Sequence, residues 1–405
     1  MRGSISMTPL DKRHATISNN AFVNTLALNG LFSMKSACTD KKESYIDLNE
    51  SKMLNYYGFN SIEEATKLLY NSNNANFPNS FFNQTPTNNF LEKNKPNVVF
   101  ILMESMSNFY LDMDSRDCNL LGTLKDVMDS CYLFRNFLPS GSSTIYSLES
   151  IIINSPKSPV SQSPYQNISF DESIAKPFEK KGYETLFITG GKMGWRNLNN
   201  FIPNQFFDKI EAEPTLQASY PNAKHGEWGI HDEILFRKLF DELSHSNGTP
   251  KFIFAMTISH HSPYDIPNDY IAKPIKIPKW AKSQMKYDEQ LVLKSLKAYQ
   301  YANNYLGEFI KKIISSPLRE NTIIVATGDH NIRQLFNYSS NDFFMQCSVP
   351  LVMYVPPKYR PKNKINTNKF GSHKDIFPTL YNLALSNAIY ANFGTNLFST
   401  SDKNF

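Results

Sequence analysis

Four apolar runs in this 405-residue sequence lead into residues able to do chemistry. NVVFILM ends at Glu104-Ser105, TLFITGG closes on Gly190-Gly191, KFIFAMTIS is followed by His260-His261, and NTIIVATGD by His330 after Asp329. Glu104, Asp329 and His330 offer hard oxygen and imidazole donors of the kind that suit Mn2+, Zn2+ or Mg2+. Any one of them alone would be ordinary, as a carboxylate at a helix start or a capped turn. Their recurrence after successive runs points to one site. The segment PSGSSTIYSLESIIINS (139–155) reads as a Gly/Ser loop feeding a helix that begins near Thr144. A hydroxyl there faces the positive end of the helix dipole, where backbone N–H groups hold a phosphate. A metal beside it would lower its pKa and make it a nucleophile. From this segment alone, Thr144 reads first as a simple N-cap.

These residues need a scaffold that brings run ends together. The runs, with a fifth, VPLVMYVP at 349–356, have the length and continuity of strands buried on both faces. Helical patterns lie between them, at Asp232 to Leu243, Ala298 to Ile314 and Asp375 to Leu385. The alternation predicts an α/β fold with a central, mainly parallel sheet flanked by helices, whose ligands bind beyond the carboxyl ends of the strands. Residues 96–405 are expected to form this catalytic domain, with a smaller C-terminal part. Residues 1–70 read as a helical connector, in which Ser61 and Glu64 have capping-box spacing. Residues 71–95 are Asn-rich, punctuated by Pro, and read as a linker or long surface loop.

Composition narrows the field. Hydrophobic residues make up 41% and charged residues 20%, as in a folded globular protein. With 42 basic against 37 acidic residues and no dense Lys/Arg tract, nucleic-acid binding is not expected. No apolar run approaches the ~18 residues needed to span a bilayer, and the first residues lack the apolar centre of a signal peptide. The four cysteines show no metal-binding spacing; Cys118 and Cys131 either close a short loop or are free thiols.

The order NVVFILMES, GSSTIYSLES, GGKMGWRN, TISHHSPY, ATGDHNIR and SHKDIFPTL, from about residue 96 to 400, resembles the lipoteichoic acid synthase type of phosphoglycerol transferase. That group belongs to the alkaline phosphatase and sulfatase superfamily. The resemblance implies that Glu104, Thr144, Asp329 and His330 bind one divalent metal, manganese in close relatives, and that Thr144 is the nucleophile. It implies substrate contacts from His261, with His260 the weaker candidate. Trp195 and Arg196 fall near the family's substrate-contacting Trp and Arg. The order here is Trp-Arg-Asn where the Gram-positive synthases read Trp-Asn-Arg, so either Arg196 or Asn197 takes the arginine's place. Arg333 is a further candidate for a phosphate, through its bidentate fork, or for an ordinary ion pair. His373 is expected at the rim or behind the site. His225 and His231, flanking Trp228, read as structural.

The resemblance further implies an anionic phospholipid donor such as phosphatidylglycerol, a glycan or glycolipid acceptor, and work at a membrane surface. The location implied is the outer face of a bacterial cytoplasmic membrane, with N-terminal membrane helices missing from this chain; the opening residues look like the connector to them. A phosphoethanolamine transferase acting on lipid A or a glycan would share the metal and the threonine. A phosphodiesterase of the same superfamily is a further alternative. Formylglycine sulfatases need a C/S-x-P-x-R context, and Thr144-Ile-Tyr-Ser-Leu lacks both the Pro and the Arg.

Overall fold

The computed structural model describes residues 49–245, 248–332 and 335–399 and, nearer the N-terminus, residues 15, 17–18, 21–28 and 30–34. Its centre is a seven-stranded sheet. In chain order the strands are β1 (Asn97–Met103), β2 (Tyr132–Phe134), β3 (Glu184–Thr189), β4 (Lys209–Glu211), β5 (Lys251–Met256), β6 (Thr322–Gly328) and β7 (Leu351–Tyr354). Across the sheet they run β2-β7-β6-β1-β5-β3-β4. The five strands from β6 to β4 are mutually parallel, whereas β7 is antiparallel to both β6 and β2.

Every residue of β1 and β6 is buried, which is why these strands read as unbroken apolar runs rather than as alternating ones. Val98, Phe100 and Leu102 face one core, with Ile145, Leu148 and Ile152 of helix α1 (Thr144–Ile153) and Ile376 and Leu380 of α4 (His373–Ala384). Val99, Ile101 and Met103 face the other, with Leu235 and Leu239 of α2 (Asp232–Ser244) and Leu296 and Ile310 of α3 (Glu289–Ile314). Helix α3 begins at Glu289, ahead of the apolar pattern seen from Ala298, because the Asp288 carboxylate caps it by accepting from Leu291 N.

Near the N-terminus, Ser61 caps the helix Ile62–Leu69 by accepting from Glu64 N. The Asn-rich stretch packs against the domain. Phe82–Gln84 pairs antiparallel with Ile389–Ala391, and Leu91 enters the core beside β1. Cys118, Cys131 and Cys347 are free thiols, so the short-loop disulfide considered for Cys118 and Cys131 is not formed. Burial pushes the Cys118 thiol up to about 11 and Cys131 to about 12. Cys38 and Arg333 lie outside the described residues. Among the described residues, no helix is long and apolar enough to cross a membrane.

Candidate active site

Strand register assembles the site. Met103 pairs with Gly328, and Leu102 and Thr189 both pair with Met256, so β1, β3, β5 and β6 end at one level. The chain leaving β1 crosses close over the end of β6. A Cβ on Gly328 would lie 1.9 Å from Met106 O, so only glycine fits there. Ser105 is held at φ +52°, a conformation that a non-glycine residue keeps only where its surroundings impose it. What imposes it is hydrogen bonding: Ser105 N donates to Asp329 Oδ1 at 2.7 Å, and Ser105 Oγ to Glu104 Oε1 at 2.8 Å. Glu104 N donates to Thr257 Oγ1 at 2.8 Å, tying β1 to β5.

Glu104, Asp329 and His330 each bring a ligand atom within 4.8 Å of the others. Thr144 is the first residue of α1, after Ser143 at the N-cap, and its hydroxyl donates to Glu104 Oε2 at 3.2 Å. One turn on, the Ser147 hydroxyl bonds the Asp329 carbonyl and fastens the helix to the strand end.

The electrostatics call for a cation. Burial and the neighbouring Glu104 charge push the Asp329 carboxyl up to about 6. Burial also raises Glu104, but the charges of His261 and His330 and the Ser105 hydrogen bond outweigh it and hold Glu104 below the usual range. Asp329 Oδ2 is buried and accepts no hydrogen bond; the Thr144 hydroxyl, near enough to lower this carboxyl, donates to Glu104 instead. His330 Nδ1 donates to Asn331 O at 3.0 Å, so in the neutral ring Nε2 carries the lone pair. That Nε2 lies 3.4 Å from Asp329 Oδ2 and 3.8 Å from Glu104 Oε1. A lone pair facing two carboxylates is repulsive unless a proton or a cation sits between them. Two carboxylates, an imidazole and a hydroxyl fit a divalent ion.

Beside Thr144 opens a hollow of about 490 Å³, lined by Glu104, Thr144, Lys192, Met193, Trp195, Trp228 and His261 among others. The loop 257–261 is bracketed from behind by Asp232, whose carboxylate accepts from Ile258 N at 2.9 Å and Ser259 N at 3.1 Å. Burial pushes that carboxyl up to about 6. His261 Nδ1 donates to Ser262 O at 2.8 Å, which leaves Nε2 as the accepting nitrogen. The Trp228 ring lies 4.0 Å from the His261 ring, and its indole N–H also donates to Ser262 O. Trp228 sits on a small hairpin (His225–Gly226, Gly229–Ile230) docked on the end of β3. The docking needs Gly190 and Gly229: a Cβ on either would come within 2.1–2.2 Å of the opposing carbonyl oxygen.

The remaining candidates lie elsewhere. His260 is buried away from the hollow among Tyr110, Tyr264 and Tyr299, with Nδ1 toward Glu104 O and Nε2 toward Ser295 Oγ, both at 3.2 Å. Burial lowers its pKa to about 4. His373, expected at the rim or behind the site, lies behind it: Nδ1 accepts from Ser140 N at 3.1 Å and Nε2 donates to Gly328 O at 2.9 Å. Arg196 is exposed at φ +52° and donates to Gln162 Oε1 at 2.9 Å; neither it nor Asn197 lines the hollow. The cation there is Lys192, 3.8 Å from Glu213 Oε2. Sequence reasoning passed over Lys192 and Trp228, although Lys192 directly follows the Gly-Gly pair.

The sulfatase family profile matches residues 96–386, most of the described chain. The chain belongs to the sulfatase family. Within it, the chain is similar to lipoteichoic acid synthase 1 of Bacillus subtilis, 22% identical over 85% of this chain and 55% of that protein. It is also similar to phosphoglycerol transferase I of Citrobacter koseri, 24% identical over 67% of this chain and 35% of that one. The chain thus spans about half or less of the length of these curated relatives. The fold is shared with the lipoteichoic acid synthase LtaP of Listeria monocytogenes, at TM-score 0.62, 20% identity, and coverage of 78% and 79%. A Vibrio parahaemolyticus protein of the alkaline phosphatase superfamily gives TM-score 0.61 at 23% identity, covering 80% of this chain and 74% of that one.

Proposed function

We propose that this chain is the catalytic part of a metal-dependent transferase. In this reading it moves a phosphoglycerol-type headgroup from a membrane phospholipid to a glycan or lipid acceptor through a phospho-Thr144 intermediate. The observation that carries the reading is the convergence of the Thr144 hydroxyl with Glu104, Asp329 and His330 at a helix start, open to a hollow that also holds Lys192 and His261. The similarity to a lipoteichoic acid synthase and a phosphoglycerol transferase supports the choice of reaction.

Glu104, Asp329, His330 and Thr144 Oγ1 would hold one divalent ion, with Mn2+ the first choice and Mg2+ or Zn2+ as alternatives. When bound, such an ion lowers the pKa of the hydroxyl and offsets charge on the phosphoryl oxygens. Thr144 Oγ1, its proton held toward Glu104 Oε2, attacks phosphorus; the P–O bond to diacylglycerol breaks, and the proton passes by way of Glu104 to the departing diacylglycerol oxygen. Lys192 offers the headgroup phosphate a positive charge, and Trp195 packs against the headgroup carbons. His261 Nε2 accepts a proton from the incoming acceptor hydroxyl in the second step. A donor of this class lies in a bilayer, and in this reading the site works at the outer face of a bacterial cytoplasmic membrane. A phosphoethanolamine headgroup is the second reading. The C-terminal periplasmic domain of EcEptC from Escherichia coli shares the fold at TM-score 0.53, but Lys192 would repel an ammonium group.

Incubation with Mn2+ and phosphatidylglycerol, followed by peptide mass spectrometry, tests the proposal. A phosphoglycerol adduct on Thr144, absent from Thr144→Ala, is expected. Unchanged turnover in Thr144→Ala would refute the nucleophile.

A further inference from the structure

The net charge of the chain sits in one stretch. Lys273, Lys276, Lys279, Lys282 and Lys286 fall three or four residues apart, and residues 270–287 contain neither Asp nor Glu. Of the 42 basic residues, the 37 others equal the 37 acidic ones in number, so the formal charge of +5 is that of these five lysines. All five are exposed. Lys282 pairs with Glu289 at 2.7 Å; among the described residues, the other four make no ion pair with a carboxylate. The carboxylates bordering the stretch are engaged elsewhere: Asp269 with Lys224 at 2.5 Å, Asp114 with Lys125 at 2.7 Å, and Asp288 in capping α3. Asp117 is exposed beside an equally exposed Arg116.

The same stretch leaves apolar side chains in solvent. Ile271 is 91% exposed, Tyr287 51% and Trp280 44%. Ile277 and Ala281 are buried beneath them, and the Trp280 ring stands edge-on to Phe109 at 5.5 Å. The backbone is pinned on both sides. Asn119 N donates to Pro274 O and Lys276 N to Asp117 O, both at 2.9 Å; Lys286 N donates to Leu335 O at 2.9 Å and Asn337 N to Gln284 O at 2.7 Å. These partners lie on the chain that follows Glu104 out of β1 and on the chain that follows His330 out of β6. The stretch itself follows His261 out of β5. Lysines and rings are thus presented by a fixed platform that continues the loops of the site.

Lysines alone would suit any polyanion. Exposed isoleucine, tyrosine and tryptophan among them select a bilayer, because apolar side chains gain nothing from a soluble chain of phosphates. At a membrane interface they enter the headgroup level while lysines reach the lipid phosphates. Each lysine near an anionic leaflet strengthens binding about fivefold, and apolar insertion supplies the second signal that stable attachment needs. We infer that residues 271–287 form a surface that docks on an anionic bilayer, with Ile271, Trp280 and Tyr287 among the headgroups. This goes beyond the transferase reading and needs no step of it.

The test is co-sedimentation with vesicles in EDTA, using phosphatidylserine mixed into phosphatidylcholine against phosphatidylcholine alone. Phosphatidylserine is anionic but is not the proposed donor, so the active site does not contribute. Wild-type protein is expected to bind the anionic vesicles at least tenfold more tightly. Replacing exposed side chains in Lys273→Gln/Lys276→Gln/Lys279→Gln should remove that preference. Ile271→Ser/Tyr287→Ser should weaken vesicle binding fivefold or more while leaving binding to soluble polyphosphate unchanged. Wild-type protein without a preference for the anionic vesicles, or a lysine variant within twofold of it, overturns the inference. An apolar variant that binds vesicles within twofold of wild type also overturns it and assigns the lysines to a soluble polyanion. Protein that docks as expected yet never loads Thr144 supports this inference and overturns the transferase reading alone.

Discussion

Asp329→Asn separates a metal site from a structural carboxylate cluster. In the metal-free protein the Asp329 carboxyl is pushed from the ordinary 3.8 up to about 6. The folded protein therefore holds this proton more tightly than the unfolded chain does. Stability from this group is full below about pH 4, falls as pH rises to about 6, and stays low above that. A difference of about two pH units is ~3 kcal/mol. Asparagine keeps the Oδ1 that accepts from Ser105 N and His330 N, both at 2.7 Å. Its Nδ2 then replaces Oδ2, the atom that accepts no hydrogen bond and lies 3.4 Å from His330 Nε2, so a repulsion becomes a donor. Metal-free Asp329→Asn should melt above wild type at pH 8. At ~2.1 cal/mol/K per residue, ~3 kcal/mol in a chain of this length is ~3–4 °C. At pH 4 the advantage should vanish. With Mn2+ at 100 times Kd the wild type should regain ~2.7 kcal/mol and the variant much less. Calorimetry in EDTA and in Mn2+ at the two pH values reads all of this. A variant that melts below wild type at pH 8 without metal, or gains as much from Mn2+, refutes the reasoning.

Other outcomes follow from the same geometry. Thr144→Ser should still form the adduct, within about tenfold of the wild-type rate, while Thr144→Ala should lose at least ~1,000-fold in turnover, measured by headgroup release. Lys192→Met should raise KM for the phospholipid donor ~10-fold or more with kcat changed far less, because it removes one charged contact outside the bond-making group. Burial lowers His373 to about 3, so its contribution to stability is full above about pH 6.5 and is lost as pH falls toward 3. Between pH 7 and 4.5 this amounts to ~3 kcal/mol, and urea midpoints should show His373→Asn losing less stability than wild type over that interval.

The strands were legible because both faces of the sheet are covered, so β1 and β6 are apolar runs interrupted only by Asn97, Thr322 and Thr327 near their ends. The residues after them had to share an edge once the strands were parallel, and Glu104, Asp329 and His330 do lie together. What sequence could not say was which way neighbouring side chains turn. His260 and His261 are adjacent, yet Tyr110 and Tyr299 from distant elements, with Tyr264 of the same loop, enclose one, and a tryptophan covers the other. Arg196 misses the hollow because it and Asn197 both adopt positive φ, which redirects the side chain toward Gln162. The Asn-rich stretch gave no periodicity, since its strand of three residues exists only through a partner some 300 positions away. Lys192 was overlooked because a lone lysine after two glycines carries no signature until the hollow around it is seen.

The docking of the Trp228 hairpin on Gly190 has one more consequence. Lys192, Trp195 and Trp228 all belong to the stretch between β3 and α2, whereas the nucleophile and the carboxylates come from β1, α1 and β6. Glu104 and Thr144 face Lys192, Trp195 and Trp228 across the hollow. Descendants of such a chain can therefore revise what they carry by changing Lys192, Trp195 and Trp228, while the machinery that makes and breaks the bond is inherited untouched.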